Sequence, residues 1–147
     1  MRAIRTIIFF TLFGLLSCND NAQQEVLDIG AYIFNNNLNA TESTEGVYLI
    51  VKRVGGEIKP TENSKVEISY RGYYLDNQTF DETPSGQTKI ISLNTALSGL
   101  GFGLKYFGIG GSGTIIIPSK IGYGSNPPRG IRKDAVLVYD IIVHGIK

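Results

Sequence analysis

Gly113-Thr-Ile-Ile-Ile-Pro-Ser-Lys-Ile-Gly-Tyr-Gly124 is the stretch of this sequence that says most about its fold. The β-branched run from Thr114 to Ile117 is typical of a buried strand, and Pro118 ends it because proline cannot donate a ladder hydrogen bond. The loop that follows places Tyr123 between two glycines, which let the backbone approach a neighbouring group closely. A phenol has an apolar body and one polar tip. The loop therefore indicates either a concave site for a neutral, largely apolar ligand with a carbonyl, or a plain turn with a packed tyrosine.

The composition limits the class of protein. The chain has 147 residues, enough for one domain with a sizeable core. Its formal net charge is +1 and charged residues make up 18% of it, so no basic surface indicates a nucleic-acid partner. Its 18 glycines, eight tyrosines and seven phenylalanines favour a β-rich chain with many turns.

The first 17 residues have the pattern of a bacterial lipoprotein signal peptide. Arginines near the start precede an apolar segment, Ile4 to Leu16, which is too short for a comfortable transmembrane helix. The segment ends in Leu15-Leu16-Ser17-Cys18, which looks like a lipobox, and Cys18 is the only cysteine, so the chain contains no disulfide. We expect lipidation of Cys18 and anchoring to a membrane of the bacterial cell envelope, on the periplasmic side or at the outer membrane. An ordinary secretory signal with a chance cysteine is the alternative.

The remaining chain divides into a leader and one domain. Residues 18–45 are predicted to be a tether and a short helix, because apolar side chains recur at helical spacing between residues 25 and 38. Residues 46–147 are predicted to form a single α+β domain. Its expected architecture is an antiparallel sheet of about five strands wrapped on one short helix. The predicted strands are 46–54, 65–75, 89–93, 114–117 and 135–143, and the predicted helix is 95–107.

Several familiar catalytic patterns are excluded. The run Gly108–Gly113 matches G-x-G-x-x-G, but a dinucleotide site needs a helix after that motif and here we predict a strand, so the match is attributed to chance. His144 is the only histidine and has no cysteine, serine or metal-ligand cluster to work with. No carboxylate pair stands out for acid–base catalysis. We therefore expect no cofactor and no metal.

Four separated motifs then identify a family. They are Val66-Glu-Ile-Ser-Tyr-Arg-Gly-Tyr-Tyr-Leu-Asp-Asn-Gln-Thr-Phe-Asp81, Ile91-Ser-Leu-Asn-Thr-Ala-Leu-Ser-Gly-Leu100, the run from Gly110 to Gly124, and Ala135-Val-Leu-Val-Tyr-Asp-Ile141. Their order and spacing resemble those of the FKBP-type peptidyl-prolyl isomerases over about residues 46–147. The resemblance implies a half-barrel sheet on a short helix, with a hydrophobic pocket for proline between them.

The resemblance also implies which residues line that pocket. By position they are Tyr70, Phe80, Asp81, Ala96, Leu97, Leu100, Tyr123, Ile131 and Tyr139. Tyr70, Asp81 and Tyr123 match the polar, catalytic positions, with Tyr123 as a hydroxyl donor. The backbone N–H of Leu97 matches a donor to a ligand carbonyl. The other members match the apolar positions that bind substrate.

The implied function is isomerisation of Xaa-Pro bonds in exported proteins, whose proline-containing segments would be the partners. Rotation about this bond is slow because amide resonance resists twisting. A dry apolar pocket favours the twisted amide, so the chemistry requires no nucleophile or cofactor. The sequence departs from the family at Leu100, where tryptophan is common, and at Ile131-Arg132-Lys133, where Ile-Pro-Pro is common. The alternatives are a catalytically weak binding or chaperone module of a cell-envelope complex and, more remotely, a structural lipoprotein.

Overall fold

The computed structural model describes the backbone of residues 17–147 and the side chains from residue 21 onward. The predicted signal segment up to residue 16 and the side chain of Cys18 lie outside what is described. Within residues 17–147, no helix is long and apolar enough to cross a membrane. The elements in chain order are α1 (Ser17–Asn35), β1 (Thr41–Glu42), β2 (Tyr48–Arg53), β3 (Lys65–Tyr73), β4 (Thr79–Glu82), β5 (Lys89–Ser92), α2 (Ser98–Leu104), β6 (Ser112–Ile117), a 3-10 turn (Ser119–Ile121) and β7 (Leu137–Ile146).

The seven strands form one open, antiparallel sheet. Its order is β1-β2-β6-β7-β3-β4, and β5 pairs with β3 on the same edge as β4. The nine-residue β3 and the ten-residue β7 pair along most of their length and form the centre. The α+β prediction with an antiparallel sheet is confirmed. The expected count of about five strands was too low, because β1 and β4 have two and four residues and carry almost no periodic signal.

Each face of the sheet is covered by a helix. Successive residues of a strand point to opposite faces, so Ile115 and Ile117 of β6 join a core with Leu104 of α2. Ile116 joins a second core with Ile29 of α1 on the other face. None of these five side chains is more than 1% exposed. Burial on both faces is the physical reason that this strand is continuously apolar.

Helix α1 is longer at its N-terminal side than predicted and is part of the packed fold. It begins by Ser17 rather than near residue 25, and it ends at Asn35. The end is a Schellman motif: Asn37 has φ 51°, Leu38 donates its N–H to the Ile33 carbonyl, and Asn37 donates to that of Phe34. Asparagine tolerates this left-handed conformation, which stops the helix.

Helix α2 is shorter than the predicted 95–107, and its glycines face the sheet. A Cβ atom on Gly103 would lie 2.5 Å from Cγ2 of Ile115, and one on Gly99 would overlap Ile117. The helix backbone therefore packs directly against β6, with no side chain between them. This close approach offsets the low helix propensity of glycine.

We expect Gly103→Ala to lower the free energy of unfolding by about 1–3 kcal/mol, the usual cost of overpacking a core. Urea unfolding of the full chain measures this change. Gly30→Ala in α1 is the matched control, since a Cβ there meets no atom within 4 Å, and it should stabilise by up to ~1 kcal/mol. Equal stability changes in the two variants would contradict the close packing of α2 on β6.

Candidate functional site

Three aromatic rings cluster on the face of the sheet that α2 covers. The ring centroids of Tyr70 and Tyr139 are 5.8 Å apart, and those of Phe80 and Tyr139 are 5.6 Å apart at an interplanar angle of 83°. The first pair is tilted by 51° and the second is edge-to-face, and edge-to-face pairs are a preferred arrangement of aromatic rings. Tyr70 and Tyr139 are 7% and 4% exposed, whereas Phe80 is half-buried. The cluster therefore has a buried base and one edge that reaches solvent.

The strand register explains why these rings meet. Gly72 of β3 lies opposite Tyr139 of β7 on one side and opposite Asp81 of β4, next to Phe80, on the other. A Cβ on Gly72 would lie 2.8 Å from Cζ of Phe80 and 3.0 Å from Cε1 of Tyr139. The absence of a side chain at Gly72 leaves the space that the two rings occupy.

The edge of the cluster carries a short polar chain. Tyr70 Oη donates to Asp81 Oδ2 at 2.5 Å, and Lys89 Nζ donates to Tyr70 Oη at 3.1 Å. Lys89 Nζ also lies 4.0 Å from Asp81 Oδ2, with both side chains about half exposed. Because solvent screens a pair this exposed, its main effect is to orient the Tyr70 hydroxyl and the Asp81 carboxylate.

The two buried phenols are held in their protonated form. Burial raises the pKa of Tyr70, and its hydrogen bond to Asp81 and the charge of that carboxylate raise the pKa further. Burial also raises the pKa of Tyr139, with smaller contributions from Tyr123, Tyr70 and Asp81. Both hydroxyls therefore stay neutral at physiological pH and remain available as donors.

Most of the residues predicted for the pocket come together here. Leu100 of α2 is 6% exposed in the same core, and Leu97, at the N-cap of α2, and Tyr123 pack against that core while half-buried. The predicted residues that the structure brings together are Tyr70, Phe80, Asp81, Leu97, Leu100, Tyr123 and Tyr139. Ala96 and Ile131 are half-buried but lie outside this cluster, and their roles in substrate binding stay predictions.

Two residues that contact the cluster, Tyr74 and Lys89, are not among those predicted from the sequence. The ring of Tyr74 lies 4.9 Å from that of Phe80, and its hydroxyl accepts the backbone N–H of Arg132 at 3.0 Å. The guanidinium of Arg132 stacks 4.2 Å above the Tyr74 ring and bonds Asp76 at 2.7 Å. Because every second residue of a strand lies on the same face, the position of Tyr74 four residues after Tyr70 could have indicated that both rings lie on one face. No local pattern indicates Lys89.

Other candidate sites on the described surface differ in chemistry. One open cleft lies beside the 83–88 loop and another between α1 and residues 132–136. Tyr70 lines the first, but neither includes the rings of Phe80 and Tyr139. Among the side chains that the structure describes, from residue 21 onward, no three of metal-binding type are grouped to hold an ion. His144 is an exposed residue of the central strand β7, and its Nε2 is 2.8 Å from Ser69 Oγ. The glycine run at 108–113 leads into β6, as predicted.

Comparison with known proteins gives a family match. The family model described as FKBP-type peptidyl-prolyl cis-trans isomerase matches residues 56–144. A protein of Buchnera aphidicola (subsp. Schizaphis graminum) named FKBP-type peptidyl-prolyl cis-trans isomerase FkpA is 31% identical over 109 residues, which are 73% of this chain and 43% of that protein. The protein of the same name from Aeromonas hydrophila is 30% identical over 68% of this chain and 38% of its own. The chain thus spans less than half the length of these relatives.

Two crystal structures share the fold. FkpA from Escherichia coli matches with a TM-score of 0.76 at 24% identity, over 88% of this chain and 62% of that chain. A peptidyl-prolyl cis-trans isomerase from Pseudomonas syringae pv. tomato matches with a TM-score of 0.76 at 22% identity, over 88% of this chain and 95% of that one. Both matches extend beyond the 56–144 segment.

The raised pKa values of Tyr70 and Tyr139 predict a loss of stability at alkaline pH. Because the folded state holds these protons more tightly than the unfolded state, their contribution is complete below the ordinary tyrosine pKa of about 10 and is lost as pH rises above it. Urea unfolding across alkaline pH should show this fall, and Tyr139→Phe should make it shallower. Tyr106→Phe, at an exposed tyrosine, is the control. An unchanged slope in Tyr139→Phe would contradict the assignment.

Proposed function

This chain belongs to the FKBP-type peptidyl-prolyl cis-trans isomerase family, and we propose that it isomerises Xaa-Pro bonds at the cluster of Tyr70, Phe80 and Tyr139. The observation that carries the proposal is the packing of the two rings of Phe80 and Tyr139 over Gly72. The hydrogen-bonded Tyr70–Asp81 pair beside them supplies the polar edge. Apolar walls with a few fixed polar groups are the usual makeup of a site for a small, mostly apolar group.

The apolar residues bind the proline ring. Phe80, Leu97 and Tyr139 form the walls, and Leu100 lies below them in the same core. A pyrrolidine ring brings three methylene groups, and burial of each contributes about 0.8 kcal/mol. Leu100 is a smaller floor than an aromatic ring, so it contacts less of the proline. Binding of the substrate is therefore weak and release is fast.

Catalysis follows from the polarity of the rotating bond. Resonance gives the planar amide its charge separation and a rotation barrier of about 18–20 kcal/mol. Twisting breaks the resonance, so the twisted amide is less polar and loses less hydration when it enters an apolar pocket. The pocket thus binds the transition state better than the ground state, which is the condition for rate acceleration. Bond rotation makes and breaks no covalent bond.

The polar groups hold the substrate while it rotates. The Tyr123 hydroxyl and the Leu97 N–H donate to carbonyl groups of the bound peptide, and Asp81, oriented by Tyr70, forms the rim beside the rotating carbonyl. Donors that fit only the twisted carbonyl lower the barrier further. The neutral, protonated form of Tyr70 keeps Asp81 supplied with a donor.

We further infer that the protein acts at a membrane of the bacterial cell envelope, on proline-containing segments of exported proteins. Its anchor is a lipid on Cys18, which lies in the first turn of α1. A helix rises about 1.5 Å per residue, so roughly 16 Å of helix separates Cys18 from Ile29, where α1 is packed on the sheet. This short rigid connection holds the catalytic domain next to the membrane surface.

An isomerisation assay on the full chain tests the activity. Wild type should accelerate the cis-to-trans step of an Xaa-Pro peptide whose trans form chymotrypsin cleaves. Gly72→Ala should lower kcat/KM by about tenfold, because displacement of the Phe80 and Tyr139 rings misplaces the substrate and a 1 Å error can cost ~100-fold. Gly30→Ala is the control and should match wild type. If folded wild type leaves the uncatalysed rate unchanged, the protein is a binding module and the isomerase proposal is wrong.

Cell fractionation tests the anchor. We expect wild type in the membrane fraction and Cys18→Ser in the soluble fraction, because serine cannot carry the thioether-linked lipid and a two-chain anchor is what makes attachment stable. Retention of Cys18→Ser on the membrane in high salt would contradict lipidation at this residue.

A further inference from the structure

We propose that helix α1 is part of the isomerase site, because Glu25 positions the loop that carries Tyr123. This inference rests on the proposed function, in which the Tyr123 hydroxyl binds the substrate. It assigns Glu25 as a positioning residue that acts through Ser119, 94 positions away in the chain. The leader helix thereby has a role in the chemistry besides connecting the domain to its anchor.

The contact between Glu25 and Ser119 has two hydrogen bonds. Glu25 Oε1 accepts the backbone N–H of Ser119, and Oε2 accepts the Ser119 hydroxyl at 2.9 Å. Ser119 begins the 3-10 turn, and the N-cap residue before it is Pro118, which provides no side-chain cap. The first N–H groups of such a turn have no partner within it. The Glu25 carboxylate supplies the missing acceptor for the Ser119 N–H. Because this acceptor is charged, the two hydrogen bonds are stronger than bonds between neutral groups.

Ser119 in turn fixes both sides of Tyr123. Its carbonyl oxygen accepts the N–H groups of Gly122 and Gly124, each at 3.0 Å. The Gly124 carbonyl accepts the N–H of Asp134 at 2.8 Å, which ties the loop to the turn that precedes β7. The position of Ser119 therefore constrains the backbone on both sides of Tyr123, and with it the point from which the phenol extends.

Helix α1 is itself held firmly enough to act as the reference. Ile29, one turn after Glu25, is 1% exposed in the second core, and Tyr32 and Ile33 pack against that core. These residues share one helix face with Glu25 because they follow it at i+4, i+7 and i+8. Among the described residues, no cation lies within ion-pair distance of Glu25. Its carboxylate is therefore committed to Ser119, which is the type of support that a precise site requires.

Substitutions of Glu25 in the full chain, purified in mild detergent, test the proposal through kcat/KM. Glu25→Ala should lower it by about tenfold and Glu25→Gln, which keeps one acceptor oxygen, by about threefold, both within the ~100-fold that a 1 Å misplacement costs. In a Tyr123→Phe background, Glu25→Ala should cause little further loss, because its effect runs through the missing hydroxyl. Glu62→Gln removes an exposed carboxylate and should match wild type.

Amide chemical shifts separate this inference from the proposed function. Glu25→Ala should move the backbone amide resonances of Gly122 and Gly124, whether or not the protein is an isomerase. If wild type lacks activity, the proposed function fails and these two resonances alone decide whether Glu25 positions the loop. The proposal would be overturned if Glu25→Ala lowered kcat/KM equally in the wild-type and Tyr123→Phe backgrounds. It would also be overturned if Glu25→Ala left the Gly122 and Gly124 resonances unmoved.

Discussion

The site depends on the packing of two aromatic rings against the bare backbone of Gly72. Tyr139 of β7 pairs directly with Gly72 of β3, and Phe80 of β4 lies at a register shift between β3 and β4 that places its ring over the same glycine. The base of the cluster is buried, and in the proposed mechanism this apolar environment favours the less polar, twisted amide over the planar one. Tyr70, two residues before Gly72 on β3, and Asp81, opposite Gly72 on β4, lie beside these rings and are hydrogen-bonded to each other.

The residues predicted the fold class because the relevant signals are local. Alternation in β3 and the β-branched run in β6 depend only on neighbouring positions, and both strands are present. The family resemblance then identified seven side chains that the structure brings together. Strand β1 was not predicted because its two residues are too few to show the alternation of polar and apolar side chains that marks a strand. The start of α1 escaped because its polar first turns resemble a tether, while its stability comes from the packing of Ile29 on the sheet.

The contacts that the sequence did not reveal are those made between distant segments. Lys89 contacts Tyr70 across the β3–β5 pair, and Glu25 contacts Ser119, which is 94 positions later in the chain. Neither contact has a characteristic spacing, since both depend on how separate elements pack. Together they link the parts of the chain: α1 covers one face of the sheet, supports the Tyr123 loop and leads toward Cys18, while α2 and its glycines close the other face. The same short domain thus combines the proposed anchor and the proposed catalytic pocket.

In the proposed site, proline enters the cluster between α2 and the sheet. Titration of the 15N-labelled chain with an Xaa-Pro tetrapeptide, followed through amide and aromatic resonances, tests it most directly. The account predicts that the largest shifts occur at Tyr70, Phe80, Leu97, Tyr123 and Tyr139. Shifts confined to the α1 face of the sheet, or to the cleft beside the 83–88 loop with Phe80, Leu97, Tyr123 and Tyr139 unmoved, would contradict it.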